Sequence, residues 1–416
     1  MKKTVAVLGA GMIGVSCALE LQRRGWDVVL LDRSAPGQET SYGNAGVFAR
    51  SSLMPMNNPG LWSSLPRLVR NTSVQLRYDP AFLIRNGRWA ASFLYSARRA
   101  CFEETTAALD SLIKLSADLH GRWLPEAGAQ GRLRTNGWFF LYRSEQAFEA
   151  SRLTRDTLDK FGVATQVLQP ADIRALEPSL KPIFARALWI KDAASVDNPG
   201  AVVNAYAELF VVRGGRIVRA QVNGLARLNE DWQISLGQGD ALRARHVVVA
   251  LGPWSREFLR KSLGLSVPMA YERGYHRHFD AEGGATLGRP IYDTAGGYVL
   301  APMEMGMRMS TGVELADLDA PKSDAQLTLA EKAAREAFPL AERRESEPWL
   351  GSRPTLPDSR PAIGPCRSHP SLWFAFGHQH IGLSTGPGTA QILADMLEGA
   401  QSKIDVAPFA PSRWGL

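Results

Sequence analysis

Six residues near the start, Gly9-Ala10-Gly11-Met12-Ile13-Gly14, constrain this chain more than any other segment. They follow an apolar run, Thr4–Leu8, that reads as a buried strand, and they open an apolar-periodic stretch from Met12 to about Arg24 that reads as a helix. A second strand over Asp27–Leu31 leads into Asp32, 18 residues beyond Gly14. Strand, glycine turn, helix and acid at this spacing form a dinucleotide-binding fingerprint. The glycines allow a tight turn, close approach of backbone to a pyrophosphate, and helix–strand packing. The helix N-terminus offers unpaired N–H groups and a positive dipole end to the phosphates. Asp32 suits a ribose hydroxyl and disfavours a 2′-phosphate, so NAD or FAD is expected and NADP is not. Gly9, Gly11, Met12, Ile13, Gly14, Asp32 and the neighbouring Arg33 are the first candidate cofactor contacts. The plainer alternative is a glycine turn in an ordinary βαβ unit.

The remaining 400 or so residues must say which cofactor. A chain of 416 residues with 45% hydrophobic and 21% charged side chains buries a real core, and at this length it divides into two domains or a discontinuous pair. Three widely spaced cysteines, Cys17, Cys101 and Cys366, argue for a reducing compartment and against a disulfide framework or a zinc site. Lys2 and Lys3 run directly into the first strand, so no secretory leader is expected. No apolar run reaches the length of about 18 residues that a spanning helix needs. A cytoplasmic protein is the expectation.

Three later segments carry the same small-residue signature. Ser41-Tyr42-Gly43-Asn44-Ala45-Gly46-Val47 lies soon after Asp32, where backbone can approach a flat ring. His246–Ala250 reads as a strand buried on both faces and runs into Leu251-Gly252-Pro253-Trp254. Leu372–Phe376 is another such strand; the loop Gly377-His378-Gln379-His380-Ile381-Gly382-Leu383-Ser384 follows, then a helix placed at Gly386–Glu398. That helix N-terminus could face the anion-accepting edge of a ring. Asn44, Ala45, Gly46, Val47, Gly252, Trp254, Gly382, Leu383 and Ser384 join the candidate contacts.

Together with Gly351-Ser352-Arg353-Pro354-Thr355-Leu356-Pro357-Asp358 and Pro361-Ala362-Ile363-Gly364, these segments resemble the FAD-dependent D-amino acid oxidase/dehydrogenase superfamily, most closely its bacterial D-amino acid dehydrogenase branch. The resemblance spans nearly the whole chain. It implies an α/β fold: a discontinuous Rossmann-like FAD-binding domain (1–52, 193–262 and 348–416) and an α+β substrate domain with a mixed or antiparallel sheet (53–192 and 263–347). It implies that Arg353 binds a substrate carboxylate, that Tyr298, in Gly297-Tyr298-Val299, assists, and that the Val222 backbone meets adenine. The residues agree about Arg353, since a planar fork of donors suits a bidentate carboxylate; a structural ion pair is the competing role. Tyr298 could equally be packing.

His378 and His380 invite a metal or base reading. No carboxylate or cysteine stands nearby at ligand spacing, so no metal is expected. No base is required either, because an amine can lose its α-hydrogen as hydride to flavin N5 once the amino group is neutral. His380 could line the pocket or favour that neutral amine; for His378 a satisfied, non-catalytic role stands at least level with a functional one. Ser352 stands where leucine is frequent in the family, which speaks against simple D-alanine specificity, and within the family the His-Gln-His loop looks like dehydrogenases of cyclic amino acids such as D-proline or cis-4-hydroxy-D-proline. No cysteine stands beside Arg353 to tether flavin, so the FAD is expected to be non-covalent. The resemblance also implies electron transfer to a quinone or respiratory carrier, with a glycine- or sarcosine-type amine oxidase using oxygen as the alternative.

The net charge is +7, and the Leu61–Arg99 stretch concentrates it: Arg67, Arg70, Arg77, Arg85, Arg88, Arg98 and Arg99 stand against Asp79, with Trp62, Phe82, Trp89 and Phe93 among them. This stretch could meet anionic lipid at the inner face of the cell membrane, or be an amphipathic domain helix with a solvated face. A basic scaffold that binds lipid or nucleic acid is the reading from another class; no nucleic-acid recognition motif appears, so no nucleic acid is expected.

Overall fold

The structure is a computed structural model describing residues 3–416; Met1, Lys2 and the side chains of Arg67 and Gln238 lie outside the described residues. Five parallel strands and one antiparallel edge strand form a six-stranded sheet in the order Arg216–Arg219, Asp27–Asp32, Thr4–Leu8, His246–Val249, Leu372–Phe376, Ala362–Pro365. Both faces are covered, so the central strands are apolar at successive positions: Val5 to Leu8 and Val247 to Val249 are at most 1% exposed. Helices Met12–Arg23, Arg99–Glu126, Pro199–Val212 and Gly382–Glu398 pack on one side, around a core that includes Leu19, Leu112, Phe210 and Leu393.

A second, mixed sheet is built around the long strand Ala270–Ala281, which pairs antiparallel with Gly306–Thr311 on one side and Trp349–Thr355 on the other. Its apolar core, with Phe139, Phe279, Ile291 and Phe338, is separate from those beneath the first sheet. This is the α/β arrangement expected, a Rossmann-like sheet beside a mixed sheet. The basic middle is four helices, Gly60–Leu68, Pro80–Arg85, Gly87–Ser96 and Arg99–Glu126, interrupted by a short strand at Leu76–Tyr78.

The C-terminal helix begins at Gly382, four residues before the expected start, and Pro387 lies inside it. An interior proline withholds the N–H that the carbonyl four residues earlier should receive. That carbonyl, Leu383 O, instead accepts from His120 Nε2 at 3.0 Å, while His120 Nδ1 and the Tyr206 hydroxyl lie 2.8 Å apart. Because a carbonyl only accepts, Nε2 must carry the proton and the neutral Nδ1 accepts from Tyr206. The glycines that suggested a loop serve helix contact: a Cβ on Gly386 would lie 2.6 Å from Met12 Cγ, and one on Gly388 3.0 Å from Leu112 O.

Candidate active site

The glycine turn leaves the first strand with Gly9 at φ +104°, where a Cβ would come within 2.4 Å of Ala250 O. A Cβ on Gly14 would lie 1.7 Å from Gly9 O, so the helix can pack on the turn only with glycine there. Asp32, ending its strand, accepts from Ala10 N–H at 2.6 Å and Ser34 N–H at 2.9 Å, which holds its carboxylate against the turn. Met12 N–H donates to Ser41 Oγ at 3.0 Å, and the first helical turn carries no acid.

A cavity of about 400 Å³ starts here. At one end it is lined by Gly9, Gly11, Met12, Ile13, Asp32 and Arg33, with Val222, Gly252 and Trp254 beside them. The Arg33 guanidinium sits 4.3 Å over the Trp254 ring and pairs with Glu39 at 2.9 Å. Gly252 has φ +55° and nothing within 4 Å of where a Cβ would be, so the wall is open at that point. At the other end lie Asn44, Trp349, Gly351, Arg353, His378, His380, Gly382 and Leu383. No side chain caps the helix that begins at Gly382.

A second chamber of about 190 Å³ adjoins the first and shares Gly43, Asn44, Arg353 and His380 with it. Ala45, Val47 and Ser384 line this smaller chamber rather than the longer cavity. Gly14 and Gly46 line neither and act through backbone packing: Gly46 has φ +73°, and a Cβ there would meet Val196 O at 2.4 Å. Asn44 fastens the loop, accepting from Gly46 N–H at 2.8 Å and donating through Nδ2 to His380 O at 3.1 Å.

Arg353 stands where the two spaces meet. It lies directly across from Glu272 in the antiparallel pair, and a Cβ on Gly274 would come within 2.5 Å of its Nη2, so that glycine makes room for the guanidinium. Burial lowers the Arg353 pKa, and the Glu272 charge opposes that shift. His380 is pushed down to about 4 by burial and then by Arg353, so its ring is neutral at pH 7. His378, pushed to about 3 by burial, is hydrogen-bonded through Nε2 with Thr389 Oγ1 at 3.0 Å.

Tyr298 departs from expectation. Register places it opposite Thr311, whereas Val299 pairs with Ser310, which pairs with His276, which pairs with Trp349. Side chains alternate across a sheet, so Val299 shares the Arg353 face and Tyr298 points to the other. It is 1% exposed, packs in the core of the mixed sheet and lines neither space. Burial, then the nearby Asp293, drives its pKa well up, so it is a neutral core phenol.

Several residues escaped sequence reasoning. Trp349 stacks on His276 at 4.7 Å and 15°, and its ring fills the space a Gly43 side chain would need, with a Cβ 1.9 Å away. Arg308, wholly buried, donates through Nη1 to Tyr42 O and Asn44 O, both at 2.7 Å, and through Nε to His278 Nε2 at 3.0 Å. It props the loop from behind. Gln379 adopts φ +47°, its N–H donating to Pro354 O at 2.9 Å, which ties the His-Gln-His loop to the Arg353 strand. The missed signal was period two in the long strand: Glu272, Gly274, His276 and His278 share one face.

Comparison with known proteins decides the family. Residues 4–396 match the family described as FAD dependent oxidoreductase. The chain belongs to that family. It is 31% identical over 418 residues to a D-amino-acid oxidase of Bradyrhizobium diazoefficiens, covering 99% of this chain and 98% of that one. It is 29% identical to D-amino acid dehydrogenase 2 of Pseudomonas aeruginosa, over 99% of both chains. Among solved structures, a glycine oxidase from Geobacillus kaustophilus superimposes with TM-score 0.75 at 20% identity, over 98% of this chain and 97% of that one. An L-proline dehydrogenase from P. horikoshii gives 0.74 at 17%, over 99% and 98%. The residues present fit FAD: an open cavity runs from the glycine turn and Asp32 past Gly252, where the wall is open, to an uncapped helix start.

Proposed function

We propose that this oxidoreductase converts a D-amino acid to the imino acid, which water hydrolyses to a 2-oxo acid or which persists when cyclic. Arg353 carries the reading. The residue is half-buried and lines both spaces, and Glu272 acts on its charge without closing an ion pair within 4.0 Å among the described residues, so its donors are free for a ligand carboxylate. When bound, FAD supplies the two-electron acceptor for the hydrogen leaving the α-carbon. Asp32, the glycine turn, Val222 and Trp254 hold the nucleotide end, and the loop Asn44–Val47 and Gly382–Ser384 border the reacting end. No cysteine lines the long cavity among the described residues, which favours non-covalent binding.

Trp138, Val299 and Val313 make one side of the small chamber apolar, which suits a compact ring such as D-proline or cis-4-hydroxy-D-proline. The names of the relatives support the D series. Anaerobic addition of a D-amino acid should bleach the bound flavin. Under air, peroxide well below stoichiometric yield supports a quinone or respiratory carrier as acceptor; stoichiometric peroxide would make the protein an oxidase.

The acceptor reading is supported by the basic segment. No helix among the described residues is long and apolar enough to cross a membrane. Yet Trp62, Val69, Ile84 and Tyr95 are exposed there, with Ile84 82% exposed, beside exposed Arg70, Arg85, Arg88, Arg98 and Arg99. Apolar tips among arginines suit the surface of an anionic bilayer, at the inner face of the cell membrane for a cytoplasmic enzyme. The holoenzyme should co-sediment with phosphatidylserine-containing vesicles at low salt and not with purely zwitterionic ones. Equal binding to both, or to neither, would remove the membrane contact.

A further inference from the structure

Beside Arg353, Glu272 has surroundings that point to a ligand. It lines the small chamber on the Arg353 face, is 1% exposed, and its Oε2 has no hydrogen-bond partner. Two other polar atoms of the same chamber also lack partners, Ser310 Oγ and Trp138 Nε1. Leaving one buried polar atom unpaired is costly, and three such atoms on residues that line one chamber point to a polar ligand there. Glu272 and Arg353 are direct cross-strand neighbours of opposite charge, and among the described residues they form no ion pair within 4.0 Å. The pair therefore offers an unclosed plus and minus side by side, the pattern that complements an amino acid zwitterion.

We propose that Glu272 is the partner of the substrate amino group: with Arg353 on the carboxylate, the Glu272 carboxylate accepts a hydrogen bond from the α-ammonium and takes up one of its protons. An N–H bond breaks and an O–H bond forms on Glu272; no electrons change hands, and the substrate is left as the neutral amine whose α-hydrogen can leave as hydride. This rests on the D-amino acid reading above and deepens it.

Charge and burial agree. The site carries Arg353 and Glu272, the substrate brings one charge of each sign, and the filled site is neutral. Burial raises the Glu272 pKa while the Thr355 hydroxyl and Arg353 pull it down, so it holds a proton better than an exposed glutamate. The other titratable group facing the chamber is His380, whose low pKa makes it a poor proton acceptor. Arg273 and its partner Glu314 occupy the alternate register and point to the opposite face of the sheet.

The test uses the FAD-loaded enzyme and compares wild type with Glu272→Gln and Glu272→Asp, following anaerobic flavin reduction by D-proline from pH 6 to 10. Wild type should reduce at a rate nearly flat around neutrality. Glu272→Gln should lose about 100-fold or more at pH 7 and recover as rising pH deprotonates the amine in solution. Cyclopentanecarboxylate, which has the carboxylate without the amine, should bind the Gln variant at least as tightly as wild type, because an unpaired buried anion no longer faces it. Should the Gln variant fail to retain flavin, Glu272→Asp carries the test: it keeps a carboxylate and should keep the flat profile at a reduced rate. An unchanged profile in Glu272→Gln, a sloping one in Glu272→Asp, or parallel loss of D-proline and cyclopentanecarboxylate binding would each overturn the proposal, the last by showing that Glu272 merely positions Arg353. If wild type is not reduced by any D-amino acid, the reading beneath has failed; if wild type is reduced and the variants behave alike, only the role of Glu272 has.

Discussion

Arg353→Leu should lower kcat/KM for the amino acid by roughly 30- to 700-fold, equivalent to about 2–4 kcal/mol, with most of the loss in KM. The guanidinium is the cationic group shared by both spaces, and Gly274 leaves it room at the wall. Leucine offers no donor, and the substrate carboxylate would then be desolvated beside Glu272 without a counter-charge. Arg353→Lys keeps the charge but not the planar fork, so it should recover only part of the loss. Flavin content separates binding from folding: retained flavin with raised KM is the expected pattern. Unchanged kinetics would make Arg353 a structural residue.

The second large effect is on acid stability. His120, His276 and His378 are buried neutral, their pKa values pushed down from 6.5 to about 4, 2 and 3, mainly by burial. In the unfolded chain each takes a proton near pH 6.5, whereas in the folded protein each does so only far lower. The folded state is therefore fully favoured above pH 6.5 and loses ground as pH falls from there toward the folded values. His380, likewise pushed down to about 4, adds a fourth. With four protons bound only by the unfolded chain, these rings give a slope near pH 5 of about 5 kcal/mol per pH unit. The midpoint of thermal unfolding should fall steeply between pH 6.5 and 4.5, and His120→Gln, able to donate to Leu383 O, should flatten that slope by about a quarter. A midpoint independent of pH over this range would contradict the buried neutral state of these rings.

What could be read from the sequence follows physical range. The glycine turn, Asp32 and the buried strands are local devices whose meaning lies in a few consecutive residues, and they stand where expected. The C-terminal helix began early because its glycines and proline are local helix breakers, overridden by contacts with Met12 and Leu112 and by a carbonyl bond from His120. Those partners lie hundreds of residues away. Tyr298 failed on parity: a motif names a residue but not the face it takes, and only the register of four paired strands puts Val299, not Tyr298, on the face of Arg353. Glu272 and Trp349 became visible for the same reason, since the face they share with Arg353 exists only after Ala270–Ala281 and Trp349–Thr355 pair.

The central claim is that this FAD-dependent oxidoreductase removes the α-hydrogen of a D-amino acid. The most direct measurement is the rate of anaerobic bleaching of the bound flavin by matched enantiomers, including D- and L-proline and cis-4-hydroxy-D-proline. At least one D-amino acid should bleach the flavin fully, and its L-enantiomer should not, or should do so at least 100-fold more slowly. Bleaching by L-enantiomers at equal or greater rates, or by glycine and sarcosine alone, would contradict it.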